Sequence, residues 1–409
     1  MWLNVGFQSL FSRKLSVVIT IFALTVSTFV LLAVQQIQQQ AKQSFSRSIS
    51  GVDLVVGART GQLNLLLSSV FRVGYLTNSV DWQSYSQLKQ HKQVKWAVPL
   101  SIGDSHKGYR VIGTSVAYFQ HFKYGAKQAL TFDLGRAFKS DAYQSPEVVL
   151  GHQVAQKLGY KIGEQLILSH GLGRTSFTHH DHVQFVVTGI LAPTGTPVDQ
   201  SLHISLSGIE LMHDNEGTHH EHQAHQPEQI SAVLVGLKAK FATLFVQKYI
   251  NEFEAEPLMA IVPGVALTEL WQIMASVERL LLLISALVLF SSLLGMATML
   301  IASMRERSRE IAILRALGAK ARNVFALIEL EVLLLSTVSI LMANGLTYFV
   351  SRVAQPFLAS QYGVYIEANL FSPESMLLSL IVLVFSLILG ALPAWLAYKR
   401  ALQSSLMVR

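Results

Sequence analysis

At 409 residues the chain is 51% hydrophobic and only 14% charged, against roughly 25% charged residues in an ordinary soluble protein, which excludes a wholly soluble fold. Its net charge of +7 would suit nucleic acid if it formed one surface, but the excess sits beside apolar runs and therefore reads as membrane topology. With a cysteine count of 0 there is no disulfide framework and no thiol chemistry, and any metal site must rest on His, Asp or Glu.

Residues 1–14 form a short N-terminus that ends in Arg13 and Lys14, and residues 15–34 follow as an uncharged run. At about 1.5 Å per residue that run crosses a hydrocarbon core of about 30 Å. A signal peptide would have an apolar core of about 7 to 15 residues ahead of a small-x-small cleavage site. Here the run ends in Ala33-Val34-Gln35-Gln36, so it reads as an uncleaved span.

Residues 35–279 then read as one large domain outside the membrane, with a helical stalk at each end. The first stalk is the polar segment 35–48. The second carries Leu267, Leu270, Trp271, Met274 and Val277 at intervals of three and four, the period of a helix that buries one stripe. The two stalks are expected to pack together.

Between them, 147–150 is strand-like, 151–158 helix-like and 165–169 strand-like, with Gly159 and Gly163 as punctuation. Segments 184–191 and 231–237 read as further strands and 239–253 as a helix. The predicted class is α+β with a sheet, inserted between the first and second spans. Gly51, Gly57, Gly159, Gly163, Gly189 and Gly195 read as turn residues rather than phosphate cradles, and Pro193 and Pro197 mark a loop.

Ten of the 14 histidines fall between His170 and His225. His179, His180 and His182, with His213, His219, His220, His222 and His225, are the candidate metal ligands, and Asp214, Glu216 and Glu221 could add oxygen donors. Imidazole suits zinc, copper and nickel, and zinc is the ion expected there. A helix would bring His219, His222 and His225 near one side, and a strand would put His180 and His182 on one face. Gly217 and Pro227 make a flexible loop the expected setting of the second run, and the bland alternative is a solvated insertion without a ligand.

Residues 280–302, 324–350 and 376–398 are the remaining spans, separated by a loop at 303–323 and a short outer loop at 351–375, with a tail at 399–409. Glu329 and Glu331 stand near the start of the third span, where water or headgroups are within reach. Arg13, Lys14, Arg305, Arg307, Arg309, Arg315, Lys320, Arg322, Lys399, Arg400 and Arg409 flank the spans against only Glu306 and Glu310. Residues 35–279, by contrast, hold 20 Lys and Arg against 19 Asp and Glu. Lys and Arg concentrate in short cytoplasmic segments, so both termini and the 303–323 loop are expected inside and the large domain outside.

The loop contains MRERSREIAILRALGA, residues 304–319. Ile311, Leu314 and Leu317 give it one apolar side, Arg305, Glu306, Arg309 and Glu310 fall on the charged remainder, and Gly318 can take the left-handed conformation that ends a helix. Such a helix either docks a partner or anchors on acidic headgroups, and the physics alone leaves both open.

The same segment closely resembles the MacB/FtsX permease pattern, a charged E-R-x-R-E-I-x-x-L-x-A-x-G-A run after the second span. Glu306, Arg307, Arg309, Glu310, Ile311, Leu314, Ala316, Gly318 and Ala319 match it position by position. GVDLVVGA from Gly51, PEVVLGHQVAQKLGYKIGEQLIL from Pro146, TGILAPTGTPVDQSLHISL from Thr188 and LPAWLAYKRAL from Leu392 resemble the outer domain and closing helix of these permeases. The ending departs, because Gln403-Ser404-Ser405 stands where Asp-Pro often follows the last helix.

The resemblance implies an ABC transporter permease of the type VII, mechanotransmitting kind, with lipoprotein-release permeases among its relatives. It implies a bacterial inner membrane, a periplasmic outer domain and a second permease copy or paralogue. Two copies of an ATP-binding subunit would carry ATP and magnesium, and a periplasmic binding protein is a further partner. It assigns coupling to Arg305, Glu306, Arg307, Arg309, Glu310, Ile311, Leu314, Leu317 and Gly318. The chain has no G-x-x-x-x-G-K-[ST] motif, so nucleotide falls to the other subunit. It also has no G-x-S-x-G elbow or H-E-x-x-H pair, and no catalytic residue or resident cofactor is assigned. Macrolide, peptide, lipoprotein and metal cargo are all compatible with the family, as is an FtsX-like role in regulating a periplasmic hydrolase.

Overall fold

The computed structural model describes residues 14–140, 145–170, 179–213, 227–306, 313, 320–362 and 372–403. The chain divides into two compact units, one of residues 1–40, 275–356 and 366–409 and the other of residues 41–274 and 357–365. Helix α1, Lys14–Arg47, is the first element of the described residues.

In the second unit, β1 (Leu54–Ala58) is followed by α2 (Gln62–Ser69), β2 (Val80–Asp81) and α3 (Trp82–Gln90). A long hairpin follows, β3 (Val94–His106) and β4 (Tyr109–Thr114). Next come α4 (Ala117–His121), β5 (Lys123–Tyr124), β6 (Gln128–Ala129), β7 (Phe132–Gly135), β8 (Glu147–Leu150) and α5 (His152–Leu158). Strands β9 (Gln165–His170) and β10 (His179–Leu191) lead to a 3₁₀ turn, Pro197–Gln200, then β11 (Ser201–Ser205) and α6 (Leu206–His213). The domain closes with β12 (Gln229–Ile230), β13 (Ala232–Leu237), α7 (Thr243–Asn251) and β14 (Leu258–Ile261).

Ten strands form one sheet in the order β14-β1-β13-β3-β4-β11-β8-β10-β7, with β9 pairing both β10 and β3. The β4/β11 and β8/β10 pairs are parallel and the other ladders antiparallel, so the sheet is mixed. This is the α+β domain expected between the first two apolar helices.

Every residue of β1 and β13 is buried, because this part of the sheet is covered on both faces and its strands read as unbroken apolar runs. Alternate residues feed different cores. Val55, Ala232 and Leu234 pack with Leu65, Leu66 and Tyr118, whereas Leu54, Val56, Val233 and Val235 pack with Tyr85, Leu88, Val246 and Ile250. A third core gathers Val148, Leu150, Phe185, Val187, Leu202 and Ile204. Each fully buried side chain of this size contributes about 1.5–3 kcal/mol.

The strands read at 147–150, 165–169, 184–191 and 231–237 are present as β8, β9, β10 and β13, and Gly159 caps α5 in the left-handed region at φ 74°. Three readings need correction. Gly57 and Gly189, read as turn residues, lie inside β1 and β10. Strand β10 begins at His179, five residues earlier than its apolar pattern suggests, and 239–253 is a 3₁₀ turn, Lys240–Ala242, followed by the shorter α7.

After the domain, α8 (Pro263–Glu306), α9 (Ala321–Tyr362) and α10 (Pro373–Gln403) follow. Among the described residues, α1 and these three are the helices long and apolar enough to cross a membrane. Leu24, Leu293, Met296, Leu300 and Val332 form one core of the bundle. Thr25 Oγ1 donates to the Ser339 carbonyl at 3.5 Å and Ser339 Oγ to the Ile21 carbonyl at 3.3 Å, which ties α1 to α9. A Cβ on Gly390 would come within 2.6 Å of Val332 Cγ2, so α10 and α9 approach where one helix has no side chain. Glu331 is only 4% exposed. It lies on the packed face of α9 rather than open to water, a departure from the reading above.

Candidate coupling site

The candidate coupling segment begins at a small packed cluster. Met304 at the end of α8, Val324 and Ile328 at the start of α9, and Ala394 and Ala397 in α10 are buried together, with Phe325 against them. Small side chains on α10 let the three helix ends close up. Arg305 and Glu306 follow Met304 immediately and both are exposed, as is Lys320 on the other side of the segment. Lys399 Nζ lies 3.9 Å from the centre of the Trp395 ring, a cation–π contact that keeps a further positive charge on α10. Ile313 is helical and 61% exposed. Arg307, Arg309, Glu310, Ile311, Leu314, Leu317 and Gly318 lie outside the described residues.

At the other end of α1 and α8 the stalks pack together, as their apolar stripes require. Phe45 and Trp271 meet edge to face with ring centres 5.6 Å apart, Phe45 lies 4.6 Å from Phe71, and Lys42 Nζ sits 5.7 Å over Trp271. Ile49, Ala266 and Leu267 continue this contact into the first core of the domain. Within the membrane unit, Gln38 Nε2 reaches the Glu278 carbonyl at 3.4 Å.

The histidine positions divide. His179, His180 and His182 lie in the first residues of β10, where His179 pairs with Ser169, and His213 is the last residue of α6. His219, His220, His222 and His225 lie outside the described residues. Among the described residues no group of three or more His, Asp or Glu side chains is arranged to hold a metal ion.

Sequence reasoning missed a polar centre inside the domain. Arg72, 9% exposed, follows α2 with a left-handed φ of 61°. It donates to the Ser69 carbonyl and, at 3.4 Å, to Tyr118 Oη, and has no carboxylate partner among the described residues. Burial lowers its pKa, an effect that the Tyr118 hydroxyl opposes. His203, wholly buried in β11, stacks on Tyr118 with ring centres 5.2 Å apart. Burial first and the Arg72 charge second depress its pKa to about 3, against an opposing contribution from the Val149 backbone. Among the described residues no carboxylate or nucleophile is set against this pair of a buried imidazole and a buried guanidinium.

A second polar feature is a pocket in the membrane unit, lined by Leu32, Gln35, Gln36 and Gln39 of α1, Asn344, Thr347 and Tyr348 of α9, and Ser372, Glu374 and Ser375 at the start of α10. Its sequence signal was the run of glutamines just past the first span, which reads as stalk when α1 is considered alone.

Residues 15–247 match the MacB-like periplasmic core domain and residues 282–406 match the FtsX-like permease C-terminal domain. The chain belongs to the MacB/FtsX-type permeases of ABC transporters. Among solved structures it is similar to the periplasmic region of MacB from Actinobacillus actinomycetemcomitans, with 12% identity, a TM-score of 0.35, and coverage of 55% of this chain and 94% of that one. It is also similar to the extracellular domain of the noncanonic ABC-type transporter YknZ from Gram-positive bacteria, with 13% identity, a TM-score of 0.31, and coverage of 51% of this chain and 98% of that one. No curated protein matches it significantly. The family is a membrane permease component of ABC transporters.

Proposed function

We propose that this permease receives motion from a separate ATP-binding subunit at residues 303–323 and carries it along α1 and α8 to its outer domain. The observation that supports this reading is continuity. Both α1 and α8 run without a break from an apolar span to the aromatic contact of Phe45 with Trp271. A helix the length of α8, 44 residues, reaches about 65 Å at 1.5 Å per residue, and an unbroken helix can carry displacement along its axis. Two ATP-binding subunits carrying ATP and magnesium, and a second permease copy or paralogue, complete the assembly. The flanking cations favour cytoplasmic termini with residues 35–279 outside, and the family resemblance favours a bacterial inner membrane with that domain in the periplasm.

In this reading Arg305, Glu306, Arg307, Arg309 and Glu310 contact the ATP-binding subunit, and Ile311, Leu314 and Leu317 seat the segment, with Gly318 ending it. Replacing Leu314 and Leu317 together by Asp should abolish co-purification of the co-expressed ATP-binding subunit and its stimulated ATP turnover. The outer domain should keep its native proteolysis pattern. Retained association and turnover would sink the assignment.

The histidine-rich segments support metal-linked traffic as the cargo class. His179, His180, His182, His213, His219, His220, His222 and His225 are the proposed ligands and zinc the proposed ion. A periplasmic binding protein is the partner that would deliver or receive it.

A further inference from the structure

The glutamine-lined pocket lies against α1 on its α9 and α10 side, and its level and chemistry together define a ligand. Leu32 stands in the last turn of the first uncharged run, and Gln35, Gln36 and Gln39 are the first polar residues beyond it. Tyr348 lies near the end of the third apolar run, and Ser372, Glu374 and Ser375 precede the fourth. All three walls therefore change from apolar to polar at the same level, the boundary where lipid headgroups sit.

Several lining groups are already engaged. Ser372 and Ser375 bond each other, with Ser372 Oγ accepting the Ser375 N–H at 3.1 Å. Thr347 Oγ1 donates to the Ala343 carbonyl, Asn344 Nδ2 bonds the Ile340 carbonyl and Ser379 Oγ, and Gln36 Oε1 accepts from Ser351. Gln35, Gln39 and Glu374, by contrast, make no side-chain hydrogen bond among the described residues. On the α9 wall, Arg352 donates through Nε to Tyr348 Oη at 3.3 Å and lies 5.7 Å from the centre of that ring.

The pocket thus presents a carboxylate from α10, two free carboxamides from α1 and a guanidinium at its Tyr348 wall. Its enclosed part holds about 20 Å³, room for a group the size of an ammonium, and the rest of a headgroup would lie in its open mouth. We infer that it seats the headgroup of a phospholipid bearing a primary ammonium, as in phosphatidylethanolamine. The ammonium donates N–H bonds to Glu374 and to the Gln35 and Gln39 carbonyls, while the phosphate lies toward Arg352. A trimethylammonium headgroup has no N–H to donate and an uncharged one leaves the carboxylate unmatched, so the site discriminates by donor chemistry.

Native mass spectrometry of the full chain in nonionic detergent tests this, with equimolar ethanolamine, choline and glycerol phospholipids of identical acyl chains. The ethanolamine lipid should bind about fivefold better than the choline lipid, and Glu374→Gln should bring the two close to parity. Glu254→Gln, an exposed carboxylate of the outer domain, should leave the preference intact. Equal binding of the two lipids by the native chain overturns the assignment, as does a preference that survives Glu374→Gln or disappears with Glu254→Gln. Displacement of the lipid by an equal concentration of soluble phosphoethanolamine would also overturn it, because the ligand would then be the free phosphoamine. The readout uses no nucleotide and no partner, so its failure leaves the coupling proposal standing.

Discussion

Asp199 is wholly buried and is tolerated because its carboxylate is surrounded by donors. Oδ1 accepts from Thr194 N at 2.9 Å and Thr194 Oγ1 at 2.8 Å, and Oδ2 accepts from Gly195 N at 2.8 Å. Burial pushes its pKa up and these bonds pull it back. The Thr-Gly-Thr-Pro-Val-Asp stretch is therefore a clamp on the turn before β11, and Asp199→Ala should cost about 3 kcal/mol by stranding its backbone donors, seen as a lower Tm of the full chain. His203 is buried in the opposite condition, as a neutral base. Its folded pKa of about 3 lies below the unfolded value of about 6.5, so the unfolded chain binds more protons between the two. The stability this contributes is complete above about pH 6.5 and is lost as pH falls towards 3, amounting to roughly 3 kcal/mol between pH 6.5 and 4. Thermal unfolding across that range should be steeply pH-dependent in the native chain and visibly flatter in His203→Leu. The remaining slope belongs in part to His106, whose pKa burial also lowers. An unchanged slope in the variant would show that His203 is not held neutral.

Helices α1 and α8 each do two jobs along their length, and the change of job shows in their side chains. In the membrane unit α1 offers hydroxyls to α9 through Thr25, where a short side chain permits close approach. Beyond the span it offers an aromatic ring, Phe45, to Trp271 and Phe71. Such ring pairs are worth about 0.5–1.5 kcal/mol beyond their buried area. Trp271→Ala should therefore raise amide hydrogen exchange in residues 41–50 by about tenfold, since 1.4 kcal/mol is a factor of ten in an equilibrium. The β3/β4 hairpin, whose exchange depends on sheet hydrogen bonds, should not change. Equal acceleration in both places would mean that Trp271 supports the domain as a whole rather than the stalk contact.

At the scale of the whole chain, the placement of charge and the histidine excess make different demands on experiment. The charge asymmetry concerns orientation across the membrane and the histidines concern metal. Zinc titrated calorimetrically into the full chain should give a stoichiometric site of micromolar or tighter affinity, lost when His213, His219, His220, His222 and His225 are all changed to Ala. Weak binding shared equally by zinc, copper and nickel would remove metal from the cargo proposal. The four spans, the α+β class and the family could be read from sequence alone, because hydropathy over some twenty residues and a contiguous motif are local quantities that need no neighbours. The strands β8, β9, β10 and β13 were legible for the same reason, as short apolar runs between glycines. Strand β3 was not, because Lys95, Asp104 and Ser105 interrupt its pattern and their environment is set by β4, β9 and β13. The strand order, the burial of His203 and Arg72 in one centre, and the meeting of Gln35, Gln39 and Glu374 in one pocket were decided only by tertiary structure. Arg72 and His203 are 131 residues apart and Glu374 lies more than 330 residues beyond the two glutamines, and no local pattern of hydrophobicity or spacing carries information across such separations.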